Sequence, residues 1–470
     1  MSGTEAYDLV VVGSGPAGEK GAVQAAYFGK KVALVERAST VGGACVHTGT
    51  IPSKTLREAA LYVTGFQKRQ LYGLSLEIDR SAGLRQIMGR LHAVIDQQVS
   101  QVQGNLARHG VTVHQGQARF VGPNELVVER DGAEVARLRG SALLVATGSS
   151  PYRPPGVPFS DPDVEDSDTI LDLDRIPDAL AVIGGGVIGC EYACLFAALG
   201  TKITIVEGRD SLLNFLDGEM SAGLRASLER GGHEVKLGDA ALSIERLPGG
   251  PLVVALKSGR KLEVDKILYS AGRAGNTAGL DLEAAGVKKD ERGRIPVNEH
   301  FQTSQPHVYA AGDVAGPPAL ASVSMEQGRV AVCHAFGFAY KTRVSPVTPF
   351  GVYTIPEISM VGRTEEELRK EGVDYEVGRA RYADNARGQI IGDRDGTLKL
   401  LVDVSTHKLL GVHLIGDRAT ELGHIGQMVM QLGGTIDTFI DSVFNFPTLS
   451  EVYKYAAYDA LGRLQRRPES

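Results

Sequence analysis

Apolar residues near the start of the chain predict a buried strand that leads into a glycine-rich loop. The strand pattern covers residues 7–12 with its apolar run at 9–12, and Gly-Ser-Gly-Pro-Ala-Gly follows at 13–18. After the loop the pattern takes the period of a helix, which we predict through about Phe28. A second strand is predicted over 31–35, and Glu36 follows it directly. This succession is typical of a βαβ unit with parallel strands.

The same succession occurs a second time further along the chain. A short apolar run at 181–183 leads into Gly-Gly-Gly-Val-Ile-Gly at 184–189. We predict a helix to about Leu199 and a strand over 202–206, and Glu207 follows that strand. The acid stands as far from the first glycine of its loop as it does in the first copy.

The glycine spacing indicates what each copy binds. In this loop the first glycine permits the turn, the second lets the backbone approach a pyrophosphate, and the third lets helix pack on strand. The helix N-terminus then favours the anion, and the acid can accept hydrogen bonds from ribose hydroxyls. One such loop is a weak signal, but two in matching context favour two dinucleotide sites over two unrelated tight turns.

Other segments fit a larger α/β architecture. Three further apolar runs end at a glycine turn and predict buried strands: 141–149, 266–273 and 308–313. The proline-rich stretch 151–158 predicts an inter-domain linker. After about residue 345 no dinucleotide loop follows, and the runs 396–402 and 409–416 predict paired strands of a third, α+β domain.

Composition narrows the functional class. The 470 residues suggest about three domains at ~150 residues each. A net charge of -6 gives no basic surface for nucleic acid or anionic lipid, and no apolar stretch approaches the ~20 residues of a membrane span. The four cysteines, Cys45, Cys190, Cys194 and Cys333, are too scattered for a disulfide framework, and no metal-ligand cluster appears. We therefore expect a cytoplasmic protein that binds no metal, no membrane and no nucleic acid.

The motifs in this order resemble the pyridine nucleotide–disulfide oxidoreductase family over essentially the whole chain. Besides both fingerprints, the resemblance includes Ala-Thr-Gly at 146–148, Ala-Ala-Gly-Asp at 310–313 and Ile-Pro-Ser-Lys at 51–54. It implies two Rossmann-like dinucleotide-binding domains, with FAD on the first fingerprint and NAD or NADP on the second. It also implies a C-terminal α+β dimerisation domain that makes a homodimer, with larger assemblies left open. The implied division is 1–152 and 273–345 for FAD, 153–272 for NAD(P) and 346–470 for dimerisation.

The resemblance also implies the residues of each site. Those expected at FAD are Gly13, Gly15, Gly18, Glu36, Arg37, Gly42, Gly43, Ala44, Cys45, Lys54, Thr147, Gly148, Gly312 and Asp313. Those expected at NAD(P) are Gly184, Gly186, Gly189, Glu207, Arg209 and Gly272. Lys54 is expected near flavin N5 and paired with Glu191, and these two are the expected catalytic residues. The alternative for the pair is a surface lysine and an ordinary helix glutamate.

Two departures from the family pattern change the expected reaction. The flavoprotein disulfide reductases carry Cys-x-x-x-x-Cys before Ile-Pro-Ser-Lys, but here Cys45 is followed by Thr50, and a hydroxyl cannot form a disulfide. These enzymes also carry a His before a proline near the C-terminus, where this chain has Phe446, although the acid that would orient the His remains as Glu451. The double departure resembles the subfamily of soluble pyridine nucleotide transhydrogenases.

The expected activity is hydride transfer between NADPH/NADP+ and NAD+/NADH through flavin N5, in a ping-pong mechanism without a redox-active disulfide. The alternatives are an NAD(P)H:quinone or dye reductase, dihydrolipoamide dehydrogenase using a cysteine from elsewhere, and a non-catalytic redox-sensing flavoprotein.

Three residues keep two interpretations each. Cys45 is either a peroxide-reactive or regulatory thiol helped by His47 or a relic thiol packed near the flavin. His47 itself is either that helper or a packing or hydrogen-bonding residue. Glu207 favours the 2′-hydroxyl of NAD and repels a 2′-phosphate. Arg209 is either a group that turns in to meet that phosphate or a solvated surface charge. We expect NAD(H) to bind at least as well as NADP(H).

Overall fold

The computed structural model describes residues 3–64, 80–172 and 175–467. The chain divides into two compact units. The first unit comprises residues 1–55, 85–152 and 272–345, and the second unit comprises 56–84, 153–271 and 346–470. The division into named domains given above stays a prediction.

The described residues form eight helices of eight or more residues. In chain order they are α1 Pro16–Tyr27, α2 Thr50–Thr64, α3 Arg80–Arg108, α4 Val187–Ala198, α5 Gly218–Arg230, α6 Ala321–Phe336, α7 Ala419–Gln431 and α8 Val452–Leu464. Shorter helices are Gly43–His47, Glu365–Glu371, Ala386–Ile391 and Asp437–Asp441, and 3-10 turns are Thr169–Leu171, Leu282–Ala285, Asp313–Ala315, Tyr382–Asp384 and Leu449–Glu451.

The first unit is built on a seven-stranded sheet. Its strands are β1 Glu5–Val12, β2 Val32–Glu36, β3 Thr112–Gln115, β4 Gln117–Gly122, β5 Glu125–Arg130, β6 Ala133–Val145 and a late strand, Val308–Ala310. Their order is β3-β2-β1-β6-β5-β4, and the late strand pairs with β6. β1 pairs in parallel with both β2 and β6, which confirms the first predicted βαβ unit. A short ribbon joins Ser149–Pro151 to Arg273–Gly275 in the same unit.

Helix α1 begins where the fingerprint predicts, and glycine sets how closely it packs. Pro16 occupies its first position, where the missing N–H costs no hydrogen bond. The helix lies against α6, and a Cβ added to Gly328 of α6 would stand 2.2 Å from the carbonyl oxygen of Ala17. Only glycine therefore permits this approach of the two helices.

The segment 153–271 of the second unit contains a parallel sheet and a three-stranded antiparallel sheet. The parallel sheet has the order Glu234–Leu237, Lys202–Glu207, Ala179–Ile183, Lys266–Tyr269 and Val164–Glu165. A three-stranded antiparallel sheet, Ala241–Arg246, Leu252–Leu256 and Lys261–Val264, belongs to the same region. The pairing of 202–206 with 179–183 in parallel, across α4, confirms the second predicted βαβ unit.

The C-terminal part of the second unit is a five-stranded antiparallel sheet. Its order is Pro349–Val352, Glu357–Gly362, Leu409–Gly416, Thr397–Asp403 and Tyr375–Arg381. The predicted pairing of the strands near 397 and 409 is confirmed, with Leu400 opposite Val412. Helix α8 covers one face, where Gly378 lets the strand approach: a Cβ there would stand 2.1 Å from the oxygen of Ala456.

A buried charge cluster joins these two parts of the second unit. Lys399, whose side chain is 1% exposed, contacts the carboxylates of Asp217, Glu219 and Glu365; we call these four residues the Lys399 cluster. Asp217 caps α5 by accepting from the amide of Glu219 (3.1 Å), and it also accepts from the amide of Glu365 (3.2 Å). Nothing in the sequence analysis anticipated this cluster.

Among the described residues, each helix is too short or too polar to cross a lipid bilayer.

Candidate functional site

The acid of the first fingerprint, Glu36, is hydrogen-bonded to the glycine loop. One oxygen of Glu36 accepts from the amide and the hydroxyl of Ser14 (2.9 and 2.6 Å), and the other accepts from the amide of Ala38 (2.9 Å). The Ser14 hydroxyl also accepts from the amide of Gly42 (2.8 Å). These bonds hold the loop, the end of β2 and the following segment together and fix the direction of the carboxylate.

The glycines of this loop have different surroundings. Gly13 has φ +100°, and a Cβ there would stand 2.5 Å from the oxygen of Ala146. A Cβ on Gly18 would stand 1.9 Å from the oxygen of Gly13. Gly15 precedes α1, and a Cβ there would meet no atom of the described residues within 4 Å. The second glycine therefore leaves open space at the helix N-terminus, where a pyrophosphate can approach the amides.

The Ala-Thr-Gly turn supplies an independent sign of a ligand. The Oγ1 atom of Thr147 is buried and has no hydrogen-bond partner among the described residues. A buried hydroxyl without a partner is unfavourable, so a bound polar group is its expected partner. Together with the open space at Gly15, this hydroxyl shows that the residues present fit a dinucleotide cofactor such as FAD.

Asp313 is held by a chain of hydrogen bonds within the first unit. Its carboxylate accepts from the hydroxyl of Ser149 (2.7 Å), and that hydroxyl accepts from Nε of Arg273 (2.8 Å). The amide of the neighbouring Gly312, which has φ +81°, donates to the side chain of Gln327 (2.8 Å). The sequence analysis named Asp313 and Gly312 but missed these three supporting residues. For Ser149 and Arg273 the available signal was their place directly after a strand-ending glycine turn.

Cys45 lies in a short helix, Gly43–His47, within the loop that follows β2. Burial raises the pKa of its thiol above the ordinary value, while a hydrogen bond with the Thr50 side chain and the charge of Lys54 act in the opposite direction. The thiol therefore remains protonated at neutral pH, which disfavours the peroxide-reactive interpretation because the thiolate is the nucleophile. His47 contacts the carbonyl oxygen of Val41 (2.9 Å), as expected for a residue that organises the loop.

The remaining residues expected at FAD lie around this loop. Gly42 and Gly43 both have positive φ, and a Cβ on Gly43 would stand 2.8 Å from Cα of Gly15. Arg37 and Ala44 are exposed, and Gly148 has φ +69°. Their assignment to the cofactor stays a prediction.

The second fingerprint repeats the first in its hydrogen bonds. One oxygen of Glu207 accepts from the amide of Gly185 (2.7 Å), and the other accepts from the amide of Arg209 (2.9 Å). A Cβ on Gly186 would meet no atom within 4 Å, whereas one on Gly189 would stand 2.0 Å from the oxygen of Gly184. The open space again lies at a helix N-terminus, here that of α4.

Arg209 makes the second site differ from the first. Its guanidinium donates through Nε (3.0 Å) and Nη2 (2.9 Å) to the two oxygens of Glu207, and through Nη1 to the side-chain oxygen of Asn214 (2.7 Å). Partial burial works to raise the pKa of Glu207, but the bonds from Arg209 and from the Gly185 amide outweigh it and lower that pKa. Arg209 is thus about half exposed and ion-paired with Glu207, and which of its two interpretations holds stays a prediction.

The two expected catalytic residues fall in different units. Lys54 lies on α2 in the first unit, and its amine donates to the hydroxyl of Ser53 (3.3 Å). Glu191 lies on α4 in the second unit, is 8% exposed, and accepts from the amide of Tyr353 (2.9 Å). Gly272, expected at NAD(P), begins a segment of the first unit and has φ +138°. The pairing of Lys54 with Glu191 stays a prediction.

Two models of known protein families match this chain. A family model described as pyridine nucleotide-disulphide oxidoreductase matches residues 7–328, and the model of that family's dimerisation domain matches residues 348–457. The chain belongs to this family. The match to the dimerisation domain supports the expected homodimer, and membership makes the protein an oxidoreductase that uses FAD and a pyridine nucleotide.

Relatives of this oxidoreductase cover its whole length. It is 47% identical over 460 residues to a protein of Mycobacterium bovis named soluble pyridine nucleotide transhydrogenase, which covers 98% of each chain. A protein of the same name from Erwinia tasmaniensis is 41% identical and covers 97% of this chain and 98% of its own.

Solved structures show the same fold. LpdA of Mycobacterium tuberculosis superposes with a TM-score of 0.88 at 27% identity, over 97% of this chain and 99% of that one. The HOCl-induced flavoprotein disulfide reductase RclA of Escherichia coli, as its Cu(II) complex, superposes with a TM-score of 0.87 at 29% identity, over the same shares. The expected α/β fold with Rossmann-like domains is therefore confirmed.

Near its C-terminus this family member presents an aromatic ring instead of a proton carrier. Phe446 is 75% exposed and precedes Pro447. Glu451 is engaged locally, because it forms a capping box with Thr448 at the 3-10 turn that precedes α8. The acid that the sequence analysis regarded as left over from a His partner therefore has a structural role of its own.

Proposed function

We propose that the protein is an FAD-dependent transhydrogenase that moves hydride between NADPH/NADP+ and NAD+/NADH without a redox-active disulfide. The observation that carries the proposal is that Thr50 acts on the Cys45 thiol from the place where a disulfide reductase needs a second sulfur. A hydroxyl there cannot form a disulfide, and burial raises the pKa of the thiol so that it stays protonated near neutral pH. The names of the full-length relatives support the same activity.

The distribution of the other cysteines supports this proposal. Cys190 and Cys194 are buried on α4 and Cys333 is buried on α6, and all four cysteines are free thiols. Burial raises the pKa of Cys194 to about 12, so it would not serve as a nucleophile near neutral pH. Dihydrolipoamide dehydrogenase activity with a cysteine from elsewhere therefore has no support in the described residues.

The residues of the chain perform binding and orientation. When bound, FAD supplies an isoalloxazine ring that accepts hydride from one nicotinamide and returns it to another. Glu36 accepts hydrogen bonds from an adenosine ribose, and the N-termini of α1 and α4 each hold a pyrophosphate. Lys54 supplies a positive charge in the segment that also carries Cys45. No residue has to move a proton, so Phe446 in place of a His does not impair this reaction.

A single nicotinamide fingerprint in the described residues supports a ping-pong mechanism, in which donor and acceptor use one site in turn. Purified holoprotein mixed with NADPH and thio-NAD+ should form thio-NADH, and initial rates at several fixed acceptor concentrations should give parallel lines in reciprocal plots. Intersecting lines would contradict the ping-pong step. Brisk reduction of lipoamide, or quinone turnover far above thio-NAD+ turnover, would contradict the proposed activity.

We also propose a cytoplasmic location, which the four free cysteines support because disulfides are rare in that compartment. Fractionation of cells should place the thio-NAD+ activity in the cytosolic fraction, and activity confined to the envelope would contradict this.

A further inference from the structure

The Glu207–Arg209 ion pair occupies the place where the two nucleotides of the proposed reaction differ. Glu207 stands at the end of the second strand of its fingerprint, the position that reads the 2′-substituent of the adenosine ribose. NAD carries a hydroxyl there and NADP carries a phosphate. A carboxylate without a cationic partner favours the 2′-hydroxyl of NAD and repels the 2′-phosphate of NADP. A site that binds both nucleotides therefore needs a further residue.

The ion pair fills the hydrogen-bond acceptor positions of Glu207. A carboxylate has about four acceptor positions. Those of Glu207 receive the amides of Gly185 and Arg209 and two guanidinium N–H groups of Arg209. In the paired state the acid therefore has no acceptor position left for a ribose hydroxyl, and its charge is neutralised.

The guanidinium of Arg209 keeps hydrogen-bond donors for a phosphate. A guanidinium carries five N–H donors in a planar fork. Two of those of Arg209 bond Glu207 and one bonds Asn214, which leaves two that meet no partner among the described residues and can meet an anion. The Arg209 side chain is 49% exposed, whereas that of Glu207 is 7% exposed. The arginine can therefore leave the pair toward solvent while the acid stays in place.

The first fingerprint provides an internal comparison. Glu36 receives the equivalent amides of Ser14 and Ala38, but Ala38 stands where the second copy has Arg209. With the Ser14 hydroxyl, three donors from the described residues reach the carboxylate, and an acceptor position remains for a ribose hydroxyl. The guanidinium is the feature that distinguishes the site expected to take two kinds of nucleotide from the site expected to take one.

We propose that the Glu207–Arg209 ion pair is a two-state reader of the adenosine 2′-position. Closed, it presents the spare N–H donors of Arg209 to the 2′-phosphate of NADP(H). Open, it frees the carboxylate of Glu207 for the ribose hydroxyls of NAD(H). Asn214 holds the guanidinium in the closed state. This inference rests on the proposed function, since only an enzyme that uses both nucleotides needs such a reader.

The test uses ligands that carry no nicotinamide: ADP-ribose and 2′-phospho-ADP-ribose, with dissociation constants measured by calorimetry on the holoprotein. Wild type should bind both. Arg209→Ala should weaken the binding of 2′-phospho-ADP-ribose by about 10- to 100-fold, the range of a lost charge-assisted contact. The affinity for ADP-ribose should stay equal or increase. Glu207→Gln should shift the ratio of the two dissociation constants in the opposite direction, and Arg209→Lys should restore part of the phosphate affinity.

Arg225→Ala is the matched control, because Arg225 lies on α5 in an exposed pair with Glu229 and should leave the ratio unchanged. Arg209→Ala could instead weaken the binding of both ligands equally, or the ratio of the two dissociation constants could stay unchanged in both Arg209→Ala and Glu207→Gln. Either result would overturn the proposal of a two-state reader. Since neither ligand can transfer hydride, a shifted ratio without thio-NAD+ turnover would refute the proposed function and leave the reader standing.

Discussion

At the scale of single residues, an oxygen stands where the reductases have a sulfur. Thr50 works to lower the pKa of the Cys45 thiol, but burial outweighs it and holds that pKa above its ordinary range. The absence of the second cysteine could be predicted from the sequence, because it is visible as a residue type. The protonation of Cys45 could not, since it depends on how much of the thiol the folded loop removes from water.

The number of titratable thiols tests the absence of a redox-active disulfide. The protein should give four free thiols per chain in denaturant, both before and after anaerobic reduction by NADPH, because all four cysteines are already reduced. Ellman's reagent measures this directly, and a disulfide reductase from the same family serves as the control that gains two thiols. A rise from two to four thiols in this protein would contradict the account.

The reactivity of Cys45 tests its raised pKa. Alkylation by iodoacetamide needs the thiolate, so its rate at Cys45 should be low at neutral pH and rise with an inflection above 9.0, the ordinary pKa of a cysteine thiol. Peptide mapping by mass spectrometry after short exposures at several pH values separates Cys45 from the buried cysteines. An inflection near neutral pH would favour the peroxide-reactive interpretation instead.

At the scale of elements, the two glycine loops were the most predictable part of the molecule. Their turns depend on local backbone chemistry, so spacing alone located both strand–loop–helix units to within a residue or two. Other elements lack such a signal. The strand Ala133–Val145 begins well before the predicted run at 141, because its first half alternates exposed and buried residues on an antiparallel pairing.

Two glycines of the second loop should respond differently to the same substitution. Gly186→Ala should fold normally, because its Cβ meets no atom within 4 Å, but should weaken ADP-ribose binding by about tenfold or more, since the methyl group fills the space of the pyrophosphate. Gly189→Ala should instead lower the melting temperature, because its Cβ would stand 2.0 Å from the oxygen of Gly184.

Calorimetry of binding and thermal unfolding separate the two effects. Unchanged ADP-ribose affinity in Gly186→Ala would contradict the placement of the nucleotide at the N-terminus of α4.

At the scale of the whole molecule, long-range contacts were the part that the sequence could not supply. Lys399 lies within the apolar run 398–402, and a lysine there was a visible signal of a buried charge. Its partners come from distant segments, which no local pattern identifies. Burial works to lower the pKa of Lys399, but its three carboxylate partners outweigh it and raise that pKa. A hydrogen bond from Arg379 lowers the pKa of Glu219 to about 2.

Removing the central charge of the Lys399 cluster should destabilise the second unit. Lys399→Met keeps the length of the side chain but leaves the fully buried carboxylate of Asp217 without its cation. Loss of one partner of a buried pair costs about 3–5 kcal/mol in the free energy of unfolding. Urea unfolding measures this, with Arg381→Met as the control, since Arg381 pairs with Asp384 at the surface.

A surface pair of that kind contributes about 0–1 kcal/mol, so the control should unfold almost as wild type does. Equal stability of both variants would show that the Lys399 cluster contributes little to the fold.

If hydride enters and leaves through nicotinamide alone, a single turnover of the reduced flavin will show it. Holoprotein is reduced anaerobically with NADPH, freed of nucleotide by gel filtration, and mixed with NAD+ in the absence of any thiol or disulfide. One NADH should form per reduced flavin, with the thiol count unchanged throughout. Failure to form NADH while the same reduced protein reduces lipoamide would refute hydride transfer through nicotinamide alone.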